Sequence, residues 1–186
     1  MEMISREEAV KIVRENVKDM RFFRHMLAVE AIMRGLAEHL GENVELWGLT
    51  GLVHDIDYEK TLGMPEKHGI VAQDILRGRV PEEVLNAVKA HNYQNTGFTP
   101  KSKMEKALIA ADAVSGLIIA CALVMPSKKL GEVRVKTIVK KFKSKDFARG
   151  VDRNRILMCE EIGVPRREFF EIALNSLKKI SSKLNL

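Results

Sequence analysis

The run ALIAADAVSGLIIACALVM, residues 107–125, decides the fold of this chain. It is the longest apolar stretch, yet it carries Asp112 and Ser115 and lacks flanking aromatic anchors, so it reads as a buried core helix and not as a membrane span. Ser102 with Glu105 three residues later forms a capping-box signature that starts this helix and carries it to about Leu123. NYQNTGFTPKS before it is a loop by its Asn, Gly and Pro content. The segment 132–142 after it is a basic amphipathic helix. Two more helices, 152–162 and 165–183, follow, the last opened by Pro165.

Toward the N-terminus the spacing is again helical. Ser5 and Glu8 form a second capping box, and Ala9, Ile12, Val13 and Val17 place a helix up to about Asp19. The stripe Met26, Val29, Ile32, Met33, Leu36 and Leu40 gives a second helix ending at Gly41, where a left-handed cap is expected. A third, over 44–55, carries Leu46, Leu49, Leu52 and Val53. Pro65 and Pro81 each read as a first helical residue, with acidic residues behind them, and open helices over 65–77 and 81–91. There is no internal repeat, low-complexity tract or strand alternation. The expectation is an all-α, compact multi-helix bundle: one domain over 1–186, with a basic helical extension from about 126.

Composition sets the outer bounds. A chain of 186 residues buries about 70% of its unfolded surface as one domain and is short for two. Apolar residues at 46% and charged residues at 30% exclude a disordered chain. MEMISREEAV at the start lacks a basic segment followed by an apolar one, so no secretory signal is expected and the cytoplasm is the natural compartment. Cys121 and Cys159 form no C-x-x-C pair and read as reduced core thiols. Most of the +6 net charge falls within 128–155, which favours an anionic partner.

The polar exceptions to the apolar pattern gather at helix ends. LVHDIDYEK, residues 52–60, sets an imidazole beside a carboxylate where a helix leaves the core. Adjacent residues point about 100° apart, so both reach one target only if it is small and near the helix end, as a metal ion is. A plain helix C-terminus, with a histidine at the negative end of the dipole, explains the pair as well. His25, His68 and His91 also stand at helix starts or ends. Each has an ordinary alternative: a snorkelling side chain, an exposed first-turn residue and a C-terminal cap respectively. Asp112, among Ala110, Ala111 and Ala113, needs a cation or donors if buried, whether from a ligand or a structural salt bridge. His39 reads as a surface residue.

The order His25, then His54-Asp55, then a distant Asp112, on a helical scaffold, resembles the HD-domain superfamily of metal-dependent phosphohydrolases over about residues 20–125. His68 and His91, between the pair and the last Asp, look like the two extra histidines of its dinuclear members. LVHDIDYEK, EKHG, KAHN, ALIAADAVSGLI, PSKKL and KKFKSKDFARGVDR together are similar to a group of predicted bacterial and archaeal HD hydrolases whose substrate is not established. The HDIGK and GYP elements of cyclic-dinucleotide phosphodiesterases are absent, and DYE stands where alarmone hydrolases carry a Glu-Asp pair.

The resemblance implies a phosphohydrolase that cleaves a phosphoester of a nucleotide or another small phosphorylated molecule. Its metal ligands would be His25, His54, Asp55, His68, His91 and Asp112, with His54 and Asp55 at the catalytic centre. Histidine and carboxylate ligands without cysteine leave one or two ions of Fe, Mn, Co, Ni or Zn open. Two divalent ions against two carboxylates would leave the site positive, which suits an anionic substrate. In that version Asp55 bridges the ions. Asp57 and Glu59 are candidates for supporting proton transfer. Lys128, Lys129, Lys141, Arg149 and Arg153 are candidate phosphate-binding residues, with a solvated helix face as their alternative. A nucleic-acid surface is the weaker expectation, because aromatic residues are not interleaved with the basic ones. A non-catalytic sensor that keeps the metal or nucleotide pocket is the alternative from another class.

Overall fold

Ser5 accepts from the Glu8 amide and Glu8 accepts from the Ser5 amide, closing the first capping box, and α1 (Arg6–Asn16) begins there. It stops three residues short of the expected end. Val17 turns extended, and Asp19 instead caps α2 (Met20–Leu40) by accepting from the Arg21 amide. The linker is pinned by Glu59, whose carboxylate accepts from the amides of Lys18 and Asp19. At the other end of α2, Gly41 sits at φ +68°, the left-handed cap that its position predicts.

The computed structural model describes residues 3–186; Met1 and Glu2, the start of the expected domain, lie outside them. The following helices are α3 (Val44–Val53), α4 (Val71–Leu76), α5 (Glu82–His91), α6 (Tyr93–Thr96) and α7 (Lys103–Leu123). After them come α8 (Val135–Lys143), α9 (Arg153–Ile156), α10 (Met158–Glu161), α11 (Arg166–Lys179) and α12 (Ser181–Leu184). No strand occurs among the described residues. The all-α expectation holds.

Helix α7 is long and apolar enough to cross a membrane by length and composition alone. It is instead wrapped by α2, α5, α8, α9, α10 and α11. Its apolar side chains from Met104 to Ala122 sit in one continuous hydrophobic core that also takes in Ala9 of α1 and Leu184 of α12. The C-terminal helices therefore complete the cover over the same helix that the N-terminal ones pack against.

Three expected helices are interrupted. The segment 65–77 divides into a short 3-10 turn at Pro65–Lys67 and α4. Between them Gly69 takes φ +86°, and a Cβ there would lie 2.9 Å from the Val88 carbonyl of α5, so the chain can press onto α5 only at a glycine. The segments 152–162 and 165–183 break at Leu157 and Ile180. The third helix ends at Val53, two residues early, because the chain turns at 54–58.

The tightest pairing joins α2 to α3. A Cβ on Gly51 would stand 2.8 Å from both the Glu30 Cα and the Val29 carbonyl oxygen, so the two backbones touch through the missing side chain. The buried Glu30 carboxylate takes Arg6 in a two-bonded fork at 2.7 and 3.0 Å and also takes Arg34 at 3.2 Å. Arg34 reaches on to Glu45 at 2.7 and 3.0 Å. Through these bonds and the Gly51 contact α1, α2 and α3 are held in register, which positions the end of α3 against α2. Gly51→Ala is expected to destabilise the protein by about 1–3 kcal/mol, since backbone and not a flexible side chain must yield. Gly131, with open space around its Cβ direction, is expected to tolerate alanine within about 0.5 kcal/mol. Urea denaturation of the two variants checks the contrast, and equal midpoints would contradict it.

Candidate metal centre

Each of the six predicted residues comes from a different local device. His25 lies in the second turn of α2, and His54 caps the C-terminus of α3 with Asp55 just beyond. His68 sits between the 3-10 turn and Gly69, His91 is the last residue of α5, and Asp112 lies midway along α7. The structure brings all six together. Asp55 Oδ1 is 3.1 Å from His68 Nε2, 3.3 Å from His91 Nε2 and 3.4 Å from His54 Nε2. Asp55 Oδ2 faces His25 Nε2 at 3.5 Å, and Asp112 Oδ1 approaches the same nitrogen at 3.0 Å.

The far side of each ring is equally organised. His54 Nδ1 donates to the Gly51 carbonyl at 2.8 Å, and His91 Nδ1 donates to the Val88 carbonyl. Carbonyl oxygens only accept, so in the neutral rings the proton is on Nδ1 and the Nε2 lone pair points inward. His68 Nδ1 faces the Asp57 carboxylate at 2.9 Å, which fixes the same tautomer. His25 Nδ1 lies 3.4 Å from the Ser115 hydroxyl, which itself donates to the Asp112 carbonyl. Backing of this kind is what metal-ligating histidines characteristically have.

Two features of the cluster suit a bound cation. His54 Nε2 is buried and has no hydrogen-bond partner; Asp55 and Asp112 oxygens lie 3.4 and 3.8 Å away without hydrogen-bonding alignment. His68 Nε2 and His91 Nε2 face each other at 3.0 Å, an arrangement two lone pairs do not hold without a cation or proton between them. Burial opposes ionisation of Asp55 and Asp112, yet both stay well below the usual carboxylate range. For Asp55 the His54, His68 and His91 rings achieve this; for Asp112 it is the bond from His25. Burial would also lower His68, but hydrogen bonds to Asp55 and Asp57 push it up to about 10. His91, desolvated and beside His68 and His54, is lowered. Two buried carboxylates call for compensating positive charge among or beside these rings. Three overlapping sets within the cluster, His25-His54-Asp55, His54-His91-Asp112 and Asp55-His68-His91, each bring their ligand atoms within 4.8 Å of one another. The donor set fits a divalent metal ion.

Residues 22–117 match the HD domain family model. This chain belongs to the HD domain family. The match holds His25, the adjacent His54-Asp55 pair and Asp112, the residues that carry the resemblance in the sequence. Among curated proteins, the chain is similar to Ribonuclease Y of Desulfotalea psychrophila (strain LSv54 / DSM 12343), with 30% identity over 94 residues. That stretch is 50% of this chain and 18% of the relative, so the likeness concerns one part of a much longer protein. No solved structure matches the chain.

The HD cluster opens into a cleft of ≈ 420 Å³ lined by His25, His68, His91 and Asp112 on one side. Asn92, Gln94, Gly116 and the segment Gly150–Asp152 with Arg155 line the rest. The predicted phosphate-binding residues Lys128, Lys129, Lys141, Arg149 and Arg153 do not line it, which corrects the reading of the basic tract. Lys128 is exposed and Lys129 reaches the Asn185 carbonyl. Lys141 covers the Phe147 ring at 4.5 Å, and Arg149 pairs with Asp146 on the surface. Arg153 donates to the carbonyls of Lys141, Phe142, Ser144, Phe147, Ala148 and Val151. It holds together a loop whose carbonyls have no ladder to join.

The cation that does reach the centre is Arg155, which the sequence reading missed. Its Nη2 donates to Asp112 Oδ2 and to the His91 carbonyl, both at 2.9 Å. The salt-bridge alternative for Asp112 is therefore realised on one oxygen while the other faces histidine. Asp57 and Glu59 are also reassigned. Asp57 is fully buried and spends its oxygens on His68 Nδ1 and on the amides of Gly69 and Ala72, and Glu59 serves the α1–α2 linker. Neither faces the cleft. Asp57→Asn is expected to weaken metal binding about 10- to 100-fold by releasing the His68 ring, whereas Glu59→Gln leaves it unchanged. Competition against a chromogenic chelator measures both, and wild-type affinity in the Asp57 variant would remove that residue from any role at the centre.

Proposed function

We propose that the chain is a metal-dependent phosphohydrolase that cleaves a phosphoester of a nucleotide or other small phosphorylated molecule. The observation that carries this reading is the convergence of four Nε2 atoms on Asp55 and Asp112, with the Nδ1 positions held from behind. One or two divalent ions of Fe, Mn, Co, Ni or Zn, bound there, would supply Lewis-acid polarisation of a phosphoryl oxygen and a nucleophile formed from water near neutral pH.

The protein's own part is positional and electrostatic. His54 and His91 are immobilised by carbonyls of their own helices, so their lone pairs are aimed before any ligand arrives. Asp55 presents Oδ1 to three rings and Oδ2 to the fourth, a placement suited to contacting two ions. Asp112 is oriented by Arg155, whose charge offsets one carboxylate. The cleft beside them is of a size that takes a small ligand, which favours a small anionic phosphorylated substrate. The likeness to Ribonuclease Y favours an RNA phosphodiester as the second reading.

Protein purified without chelator is expected to carry metal, approaching two ions per chain if His68 and His91 both bind. It is expected to hydrolyse at least one member of a panel of nucleotides, simple phosphoesters and short RNA supplied with each of the five metals. Asp55→Ala should abolish that hydrolysis while the helical circular dichroism survives. Retained activity in this variant would remove Asp55 from the centre. Tight metal without turnover anywhere on the panel would replace the hydrolase with a metal-dependent sensor.

A further inference from the structure

The HD match ends at residue 117, yet one wall of the cleft comes from the chain well beyond it. Asp152 and Arg155 both line that wall. Three residues apart at the start of α9, they fall on one side of the turn, and no ion pair joins them among the described residues. Their opposite charges are thus presented separately to the cleft.

Arg155 spends only Nη2 on the protein. Its Nη1 and Nε, in the fixed fork of a guanidinium, keep donors for an anion beside Asp112. Its distance of 5.8 Å from the Tyr93 ring centroid and its low exposure keep the fork in one place. Asp152 is an acceptor with room to spare. Oδ1 takes the Asn154 amide at 2.9 Å and Oδ2 takes the Gln94 side-chain amide at 3.1 Å, and each carboxylate oxygen accepts more than one bond. A hydroxyl group at this spot would be welcomed, and a second phosphate would meet a like charge inside a cleft of only ≈ 420 Å³.

We infer that this C-terminal wall selects the ligand: Arg155 binds a single phosphate beside Asp112, and Asp152 accepts hydroxyl donors while excluding a second phosphate. The ligand class is then a phosphomonoester of a hydroxyl-bearing skeleton. The inference rests on the phosphate-directed reading of the cleft proposed above and deepens it.

The test is calorimetric binding to the full chain loaded with Mn²⁺, using inorganic phosphate, fructose 6-phosphate and fructose 1,6-bisphosphate as probes. Wild type is expected to hold the monophosphate at least about tenfold more tightly than the bisphosphate. Asp152→Asn keeps a good helix cap and is expected to bring the two within about threefold of each other. Arg155→Gln is expected to weaken inorganic phosphate by about tenfold or more, read at Mn²⁺ concentrations that saturate the centre. Wild-type preference for the bisphosphate, an unchanged ratio in Asp152→Asn, or unchanged phosphate affinity in Arg155→Gln overturns the inference. If Arg155→Gln sheds metal, Arg155→Lys decides: metal retained with phosphate weakened severalfold supports the assignment, and any other result overturns it. Binding of these probes needs no turnover. A chain that shows the expected pattern but hydrolyses nothing would sink the hydrolase reading and leave this one standing.

Discussion

Two carboxylates kept ionised among four histidines are the constraint on which the rest of the centre depends. Asp55 and Asp112 would be costly to bury alone, and every element around them answers that cost. Histidine Nε2 atoms face inward, their Nδ1 atoms are tied to carbonyls, to Asp57 and to the Ser115 hydroxyl, and Arg155 takes the remaining Asp112 oxygen. The arrangement leaves His54 Nε2 unpartnered and two ring nitrogens face to face. A proton on His68 answers the second feature but leaves the first, whereas a divalent cation answers both.

The scaffold serves this cluster by ending helices where ligands are needed. Close backbone contact at Gly51 and the Glu30 network set α3 against α2, and this carries His54 and Asp55 to His25. Gly69 lets the loop before α4 lie on α5, which brings His68 to His91. Asp57 connects these events, because one buried carboxylate accepts from the His68 ring and from the two amides that shape its loop. A side chain that sequence places two positions beyond the metal pair thus acts on the centre from behind.

Family membership and geometry speak to different levels of function. The HD match and the ligand cluster give a divalent-metal centre of this family. The cleft beside that centre has one wall that lies outside the matched segment. The basic tract illustrates the separation: its lysines are spread over the surface, while Arg153 spends its charge on loop carbonyls. Only Arg155, two residues on, turns toward the cluster.

Helix content, the two capping boxes, the Gly41 cap, the burial of α7 and the six candidate ligands were all legible in the sequence. Each depends on local spacing, or on the rarity of a polar residue in an apolar run. Three things were not legible. The break at Gly69 was hidden because local helix signals do not register a neighbouring helix pressing on the chain, and nothing in the local spacing marked those at Leu157 and Ile180. The roles of Asp57, Glu59 and Arg153 were hidden because most of their partners are backbone groups, which every residue carries and no composition distinguishes. Arg155 was hidden in a tract of similar charges, and its distinction is a direction in space. The sequence by itself determined which chemistry the chain can carry, since residue types and periodicity are local properties. Tertiary structure alone decided which charges meet, because a partner more than 40 positions away is chosen by packing.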